Sequence, residues 1–480
     1  MAVASVTGSP FSLAPAERAR LLRHVELAAK RARHRGGSPV LAGISVRVDA
    51  GVDPSGTVVA SRRGDEPWFV MEQPDRGGSV VAALGCAVAI DADGPDRFRT
   101  VARRWRTLLA AAAVDPPAGP RGSGPVAVGG FAFADQGGAS PHWRGFAPGS
   151  MHVPELSLAR RGDEVWMSLT ALIAGADNPD ARVADLAARA DELVSRPLPM
   201  LDPDPVGGHE VVGAMPPEHY VGAVARAVER IRAGKLAKIV LAREVQVHAS
   251  QAHQAGGVLG ILRDAFPSCF VFCVGRGERT FIAASPELLI RRDGLRAGTL
   301  ALAGSTRRSA DPAVDDHLGE QLLQSTKDRG EQQIVTARIL RALRPHSVWV
   351  TGAEEPEVVR MANIQHLATP IRAQLAAPVP VVELAGLLHP TPAVGGEPHA
   401  VALPMIPELE GLDRGWYAGP VGWTDANEDG EFCVALRSAL LDGPVARCYA
   451  GVGVVADSDP AAELAETEIK LQALLPVLAL

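Results

Sequence analysis

Ala237-Lys238-Ile239-Val240-Leu241-Ala242-Arg243 is the stretch from which the fold is best read. It is aliphatic and β-branched, with no Gly or Pro, which is the composition of a buried strand. Side chains alternate along a strand, so Lys238, Val240 and Ala242 share one face while Ile239, Leu241 and Arg243 share the other. A lysine at the mouth of such a strand is either an end charge reaching for water or a desolvated amine with a chemical role. The stretch alone leaves both open, and strand-end lysines of the first kind are the commoner.

Working outward, Pro216 and Pro217 open a helix, Val221, Val224, Val228 and Ile231 recur at helical spacing, and Gly234 is a natural stop. That helix feeds the Lys238 strand. Downstream, the pattern predicts a helix over Val258–Ala265, strands over Ser268–Gly275 and Thr280–Ala284, and a hairpin of Leu289–Arg292 with Leu295–Leu302 turning at Asp293-Gly294. A long helix is expected over Asp315–Arg344, strands over Ser347–Thr351 and His366–Arg372, and a closing helix over Pro460–Leu475. Upstream, helices are expected over Ala16–Arg35, Asp96–Ala113 and Ala181–Val194. Strands are expected over Val40–Val48, Val58–Ser61, Pro67–Met71, Val126–Phe133 and Val165–Leu172, with strand also within Val80–Ile90. Val114–Gly124 reads as a surface loop. Residues Arg196 to Gly208 hold four prolines and two glycines, the clearest linker-like break in the chain. Neighbouring strands form hairpins more often than β-α-β units, so the fold class is α+β with large antiparallel sheets.

The chain has 480 residues, 47% of them hydrophobic and 21% charged, enough for a large core. A net charge of -7, with no basic stripe, argues against a nucleic-acid surface. The five cysteines include no Cys-x-x-Cys pair and read as reduced, packed thiols. Cys269 and Cys273 fall on one strand face, and a zinc site is not expected. No secretory signal and no membrane-length apolar run is present, so the cytoplasm is the expected compartment and no membrane partner is expected.

Several short patterns carry chemical potential, and each has a plain structural alternative. Glu287, in Ser285-Pro-Glu287, sits at a strand end beside apolar residues. It is either an ordinary end charge or a carboxyl raised enough to act as a general acid. Gly304-Ser305-Thr306 is a small-residue turn able to hold a carboxylate through backbone N–H groups. Lys327-Asp-Arg-Gly-Glu331 lies within a helix. Asp459-Pro460 is a good helix start, after which Glu463 and Glu466 share a face and Lys470 stands four residues beyond Glu466. That set is either a salt bridge or half of a magnesium site completed by Glu331. Gly451-Val452-Gly453 lacks the third glycine of a dinucleotide fingerprint. A lone His366 is more often structural.

The order and spacing of these patterns resemble the chorismate-utilising enzymes. The resemblance rests on Lys238-Ile-Val-Leu-Ala-Arg243, Ala284-Ser-Pro-Glu287, Ala303-Gly-Ser-Thr-Arg-Arg308, Lys327-Asp-Arg-Gly-Glu331, Gln365-His366, Val434-Ala-Leu-Arg437, Ala450-Gly-Val-Gly453 and Glu466-Thr-Glu-Ile-Lys470. It covers Pro216 to the C-terminus, with weaker similarity at Trp68-Phe-Val-Met-Glu-Gln-Pro74 and Gly129-Gly-Phe-Ala-Phe133. The loop Leu388-His-Pro-Thr-Pro-Ala-Val-Gly-Gly396 looks like the isochorismate synthase type: Ala393 stands where ammonia-using members and salicylate synthases place Thr. One position departs from the family, since Gln332 replaces the usual His.

The resemblance implies a single large domain over 1–480, with a variable N-terminal half (1–205) and a catalytic core (206–480). Its two antiparallel-rich sheets pack together with helices outside, which makes the proline-rich break a loop within one domain. It implies an isomerase that converts chorismate to isochorismate reversibly, adding water at C2 and losing the C4 hydroxyl. Magnesium would be held by Glu331 and Glu466, with Glu463 nearby. Gly304, Ser305, Ala393, Arg437, Gly451 and Lys470 would bind substrate, Lys238 would serve as base, Glu287 as acid, and His366 would contact the reacting ring. A lysine base working near neutrality has to be buried, since the free value is about 10.4. The protein is expected to act as a monomer on a small molecule, feeding menaquinone or siderophore synthesis. Alternatives are a salicylate synthase, another chorismate-utilising enzyme, or a non-catalytic chorismate-binding paralogue.

Overall fold

A computed structural model describes residues 9–202, 207–361 and 364–479. The opening stretch is the start of a strand over Lys238–Ala249, almost wholly buried at this end. Along its length it pairs antiparallel with Val445–Val454, from Ile239 opposite Val454 to His248 opposite Val445.

That pair lies at one end of a twelve-stranded sheet. From the far edge the sheet runs Val40–Val48, Glu164–Ile173, Leu156–Arg161, Ser79–Leu84, Trp68–Gln73, Phe270–Arg276, Arg279–Ser285, Ser438–Asp442 and Val445–Val454 to the Lys238 strand. There the short strands Gly396–Glu397 and His209–Gly213 close the edge. A second, ten-stranded sheet runs Ser347–Gly352, Ile364–Leu375, Arg296–Arg307, Leu288–Asp293, Gly430–Val434, Pro420–Asp425, Val126–Phe131, Gly149–Val153 and Val88–Ala92, with Glu357–Arg360 also against Ile364–Leu375. The pairings between these strands are antiparallel, so the α+β class and the two antiparallel-rich sheets are as expected. Each sheet draws strands from both sides of the proline-rich stretch, four residues of which, 203–206, lie outside the described residues.

The first sheet is buried on both faces, and period-two alternation sorts its residues accordingly. Phe69, Met71, Phe270, Phe272 and Phe281 join a cluster with Phe131, Ile290 and Phe432 of the second sheet. Their strand neighbours Val70, Val271, Cys273 and Ile282 join another cluster, on the face that the helix Ala255–Ala265 covers at Phe270–Arg276 and Arg279–Ser285. Cys269 and Cys273 do fall on one face, and both are buried free thiols.

Three local expectations fail for identifiable reasons. Val58–Ser61 lies in a helix, Pro54–Ser61, because Asp53 accepts hydrogen bonds from Ser55 N and Gly56 N and Pro54 presets the first turn. The long helix is two helices, Pro312–Gln324 and Thr326–Leu343, broken where Ser325 caps the second by accepting from Asp328 N. The closing helix ends at Leu471, and a short turn, Leu475–Leu478, follows. Strands Gly149–Val153 and Leu156–Arg161 were not foreseen. No helix among the described residues is long and apolar enough to cross a membrane.

Candidate active site

Two adjacent crossings of the chain between the two sheets carry site residues. Strand Arg279–Ser285 of the first sheet passes through Pro286-Glu287 into Leu288–Asp293 of the second. Strand Gly430–Val434 of the second passes through Ala435-Leu436-Arg437 into Ser438–Asp442 of the first. The crossings are stitched together: Val434 N donates to Glu287 O at 3.0 Å and Ala284 N donates to Arg437 O at 3.2 Å. Arg437 has φ +48°, a left-handed conformation unusual for a non-glycine residue and one that clusters at functional sites.

Other elements close around the crossings. Strand Arg296–Arg307 slips register against Ile364–Leu375 between Ala303 and Ser305. Gly304, at φ +72°, makes this bulge possible, and a Cβ there would lie 2.8 Å from the Asp328 Cβ. Helix Thr326–Leu343 supplies Lys327, Asp328 and Glu331, and helix Pro460–Leu471 supplies Glu463, Glu466 and Lys470. Between these elements lies a cavity.

Eleven of the twelve residues expected in the site line that cavity: Glu287, Gly304, Ser305, Glu331, His366, Ala393, Arg437, Gly451, Glu463, Glu466 and Lys470. Lys238 lies just behind the wall and is fully buried, beside Val240, which does line the cavity. Its Nζ is 2.7 Å from Glu331 Oε1, an ion pair without the alignment of a hydrogen bond. Strand Val445–Val454 runs close beneath this contact, and a Cβ on Gly453 would touch Glu331 Oε1 and come within 2.9 Å of Lys238 Cε.

The cavity is electrostatically divided. On one side the carboxylates each take a lysine: Glu331 with Lys238, Glu463 with Lys327 at 2.9 Å, and Glu466 with Lys470 at 2.8 Å. Glu466 also accepts from Ser305 Oγ at 2.7 Å. Burial pushes the Glu466 carboxyl up, but Lys470 and Ser305 outweigh it and hold the group below its usual value. Each lysine meets Oε1 of its glutamate. Among the described residues, no three His, Cys, Asp or Glu side chains converge tightly enough to hold a metal ion. The oxygen chemistry suits a hard cation, with carboxylates arriving from two facing helices.

On the other side the groups are neutral or unpaired. Burial pushes Glu287 up to about 8, against the pull of Lys238 and Lys470, so its carboxyl is protonated at neutral pH. His366 is driven down to about 3 by burial and by Arg437 and Lys470, so its ring is neutral. Arg437 Nη2 lies 3.0 Å from His366 Nε2. A guanidinium only donates, so Nε2 is the acceptor, and Nδ1–H donates to Gly304 O at 3.2 Å. Both ring nitrogens are therefore engaged. Arg437 is buried, burial lowers its pKa, and among the described residues no carboxylate pairs with it. A buried guanidinium with no counter-ion is a prepared seat for an anion.

Arg414, Tyr417 and Tyr449 also line the cavity, and no motif marked them. Arg414 is reached only through the fold: Glu410 stands four residues earlier, at the end of helix His399–Glu410, and the other contacts of Arg414 are distant in sequence. Lys327 and Asp328 stood inside a quoted motif without an assigned role.

The sequence matches the family model described as chorismate binding enzyme over residues 27–479. The chain belongs to the chorismate binding enzyme family. It is 36% identical over 442 residues to the salicylate biosynthesis isochorismate synthase of Pseudomonas aeruginosa, covering 91% of this chain and 90% of that one. It is 34% identical over 355 residues to the isochorismate synthase MenF of Bacillus subtilis, covering 74% and 75% respectively. Among solved structures, the menaquinone-specific isochorismate synthase MenF of Escherichia coli superposes with a TM-score of 0.76 at 25% identity, covering 96% of this chain and all of that one.

Proposed function

We propose that this family member is an isochorismate synthase, an isomerase that adds water at C2 of chorismate and expels the C4 hydroxyl. The observation that carries the reading is Glu287: a carboxyl raised to about 8 and facing the cavity is a proton donor at neutral pH, which departure of a ring hydroxyl requires. The names of the relatives agree with it, and so does Ala393 in the cavity wall.

Each residue then has a role. Arg437 takes the carboxylate of the enolpyruvyl group, held in place by His366, whose engaged nitrogens make it an orienting group for the guanidinium. The Gly451 backbone borders that carboxylate, and Gly304, Ser305 and Lys470 border the ring carboxylate. Lys238 is the base for water, and burial supports the role. Its Nζ pairs with Glu331 Oε1 at 2.7 Å, so the base and the metal share one carboxylate. Magnesium is the cation that the carboxylates suit, with Glu331 and Glu466 holding it and Glu463 nearby; when bound it supplies positive charge beside the ring carboxylate. Glu287 donates its proton to the leaving hydroxyl.

The test is incubation of purified protein with chorismate, with and without Mg²⁺, and separation of products by HPLC. Isochorismate should form, and only with the metal. Salicylate with pyruvate would indicate a salicylate synthase, and no product under either condition would overturn the proposal.

A further inference from the structure

The Lys238–Ala249 strand has a gap along one edge. Gly396–Glu397 covers it at Lys238 and Ile239, and His209–Gly213 covers it from Val245 onward. In between, no strand among the described residues pairs on that side, and backbone groups there need partners. Val240 N donates to Gly395 O at 2.7 Å. Two side chains complete the gap: Arg414 Nη2 donates to Val240 O at 3.0 Å, and Glu410 Oε1 accepts from Ala242 N at 2.7 Å. Arg414 and Glu410 are also paired with each other through two contacts, and both are buried. The pair takes the place of a strand.

The same guanidinium holds the loop that carries Ala393. Its Nη1 donates to Val394 O at 2.8 Å, and its Cζ lies 4.2 Å from the centre of the Phe133 ring. At the loop's other end, His389 Nε2 donates to Phe133 O at 2.9 Å. Loop and strand are thus locked to a common support, with Ala393 on the cavity wall between the two anchors.

We propose that Arg414 and Glu410 are positioning residues that set the reaction outcome, an inference that rests on the function proposed above. By clamping the Ala393 loop to the Lys238 strand they hold the bound ring and its enolpyruvyl group apart from the geometry in which pyruvate leaves. The excluded reaction needs no co-reactant. The hydrogen on C2 of isochorismate moves to the enolpyruvyl methylene, the ether bond at C3 breaks, and the ring becomes aromatic, giving salicylate and pyruvate.

The test uses R414K, E410Q and the double variant R414M/E410L. R414K keeps the charge but loses the planar fork that reaches Val240 O and Val394 O, E410Q leaves the Arg414 charge buried and unpaired, and the double change removes both charges and preserves packing. Expected results are a fall in isochorismate turnover of about 100-fold, as for misplacement near 1 Å, a larger fraction of salicylate, and faster hydrogen exchange at 393–395 with the double variant's melting temperature close to wild type. A folded double variant with wild-type turnover, product ratio and loop exchange would overturn the proposal. Unchanged loop exchange alone would also overturn it, whatever the products. Failure of wild-type enzyme to form isochorismate would instead overturn the function reading.

Discussion

Glu287 and Arg437 stand on adjacent sheet crossings and both depend on desolvation. Burial lifts Glu287 from 4.5 to about 8. Its proton is present below that value and lost above it, so activity should fall as pH rises through about 8. Glu287→Gln keeps the shape and neutrality but has no proton to give. It should lower kcat by about 10²- to 10⁴-fold with little change in chorismate KM, and abolish the alkaline limb. Stability follows the same sign. The raised group favours the folded state fully below 4.5 and progressively less as pH climbs to about 8, so the variant should unfold with a weaker pH dependence across that window. A variant with wild-type kcat would remove Glu287 from the mechanism.

Arg437 presents the opposite balance. Its charge is desolvated without a counter-ion, so the site is less stable than an apolar one until an anion arrives. Arg437→Met should leave the melting temperature unchanged or raise it, while weakening chorismate binding by about 1.5–3 kcal/mol, the worth of a hydrogen bond to a charged group. Titration calorimetry beside thermal melts would show both. A large drop in stability with unchanged affinity would place its role in packing. Lys238 was legible as a strand residue from its neighbours alone. The raised Glu287 carboxyl was legible only as one of two alternatives, because the burial that decides it is made by elements far away in sequence.

At the scale of elements, the site depends on how closely strand Val445–Val454 passes beneath helix Thr326–Leu343. Gly453 is the point of approach, and an added Cβ would press on both Glu331 and Lys238. Gly453→Ala should therefore cut turnover by at least about tenfold, because displacement of a catalytic group is costly even over short distances, while circular dichroism reports an intact fold. Unchanged kcat would show that the Lys238–Glu331 contact tolerates displacement. Element types were mostly legible because apolar spacing reports the local period. The failures came where a cap decided the outcome. Ser325 divides what the apolar pattern reads as one helix, and Asp53-Pro54 turns four strand-like residues into a helical turn.

Across the whole molecule, hairpins were readable but their assignment to sheets was not, because that depends on pairings hundreds of residues apart. Phe270–Arg276 pairs with Trp68–Gln73, and Pro420–Asp425 pairs with Val126–Phe131. Every motif of the site lies after residue 206, yet both sheets are completed by strands from before it. A fragment of residues 206–480 would leave Phe270–Arg276 and Pro420–Asp425 as unpaired edges. Phe270, Phe272, Val421 and Trp423, buried in the full chain, would lose cover. Long apolar edges promote aggregation, so the fragment should be insoluble when expressed alone. Co-expression with residues 1–205 should recover soluble, active complex, since the missing strands need only reach the edges and not be covalently joined to them. A soluble, monomeric 206–480 fragment with activity would show that the first half is dispensable to the core, and that the Arg414 support, including its contact with Phe133, is not required for the fold.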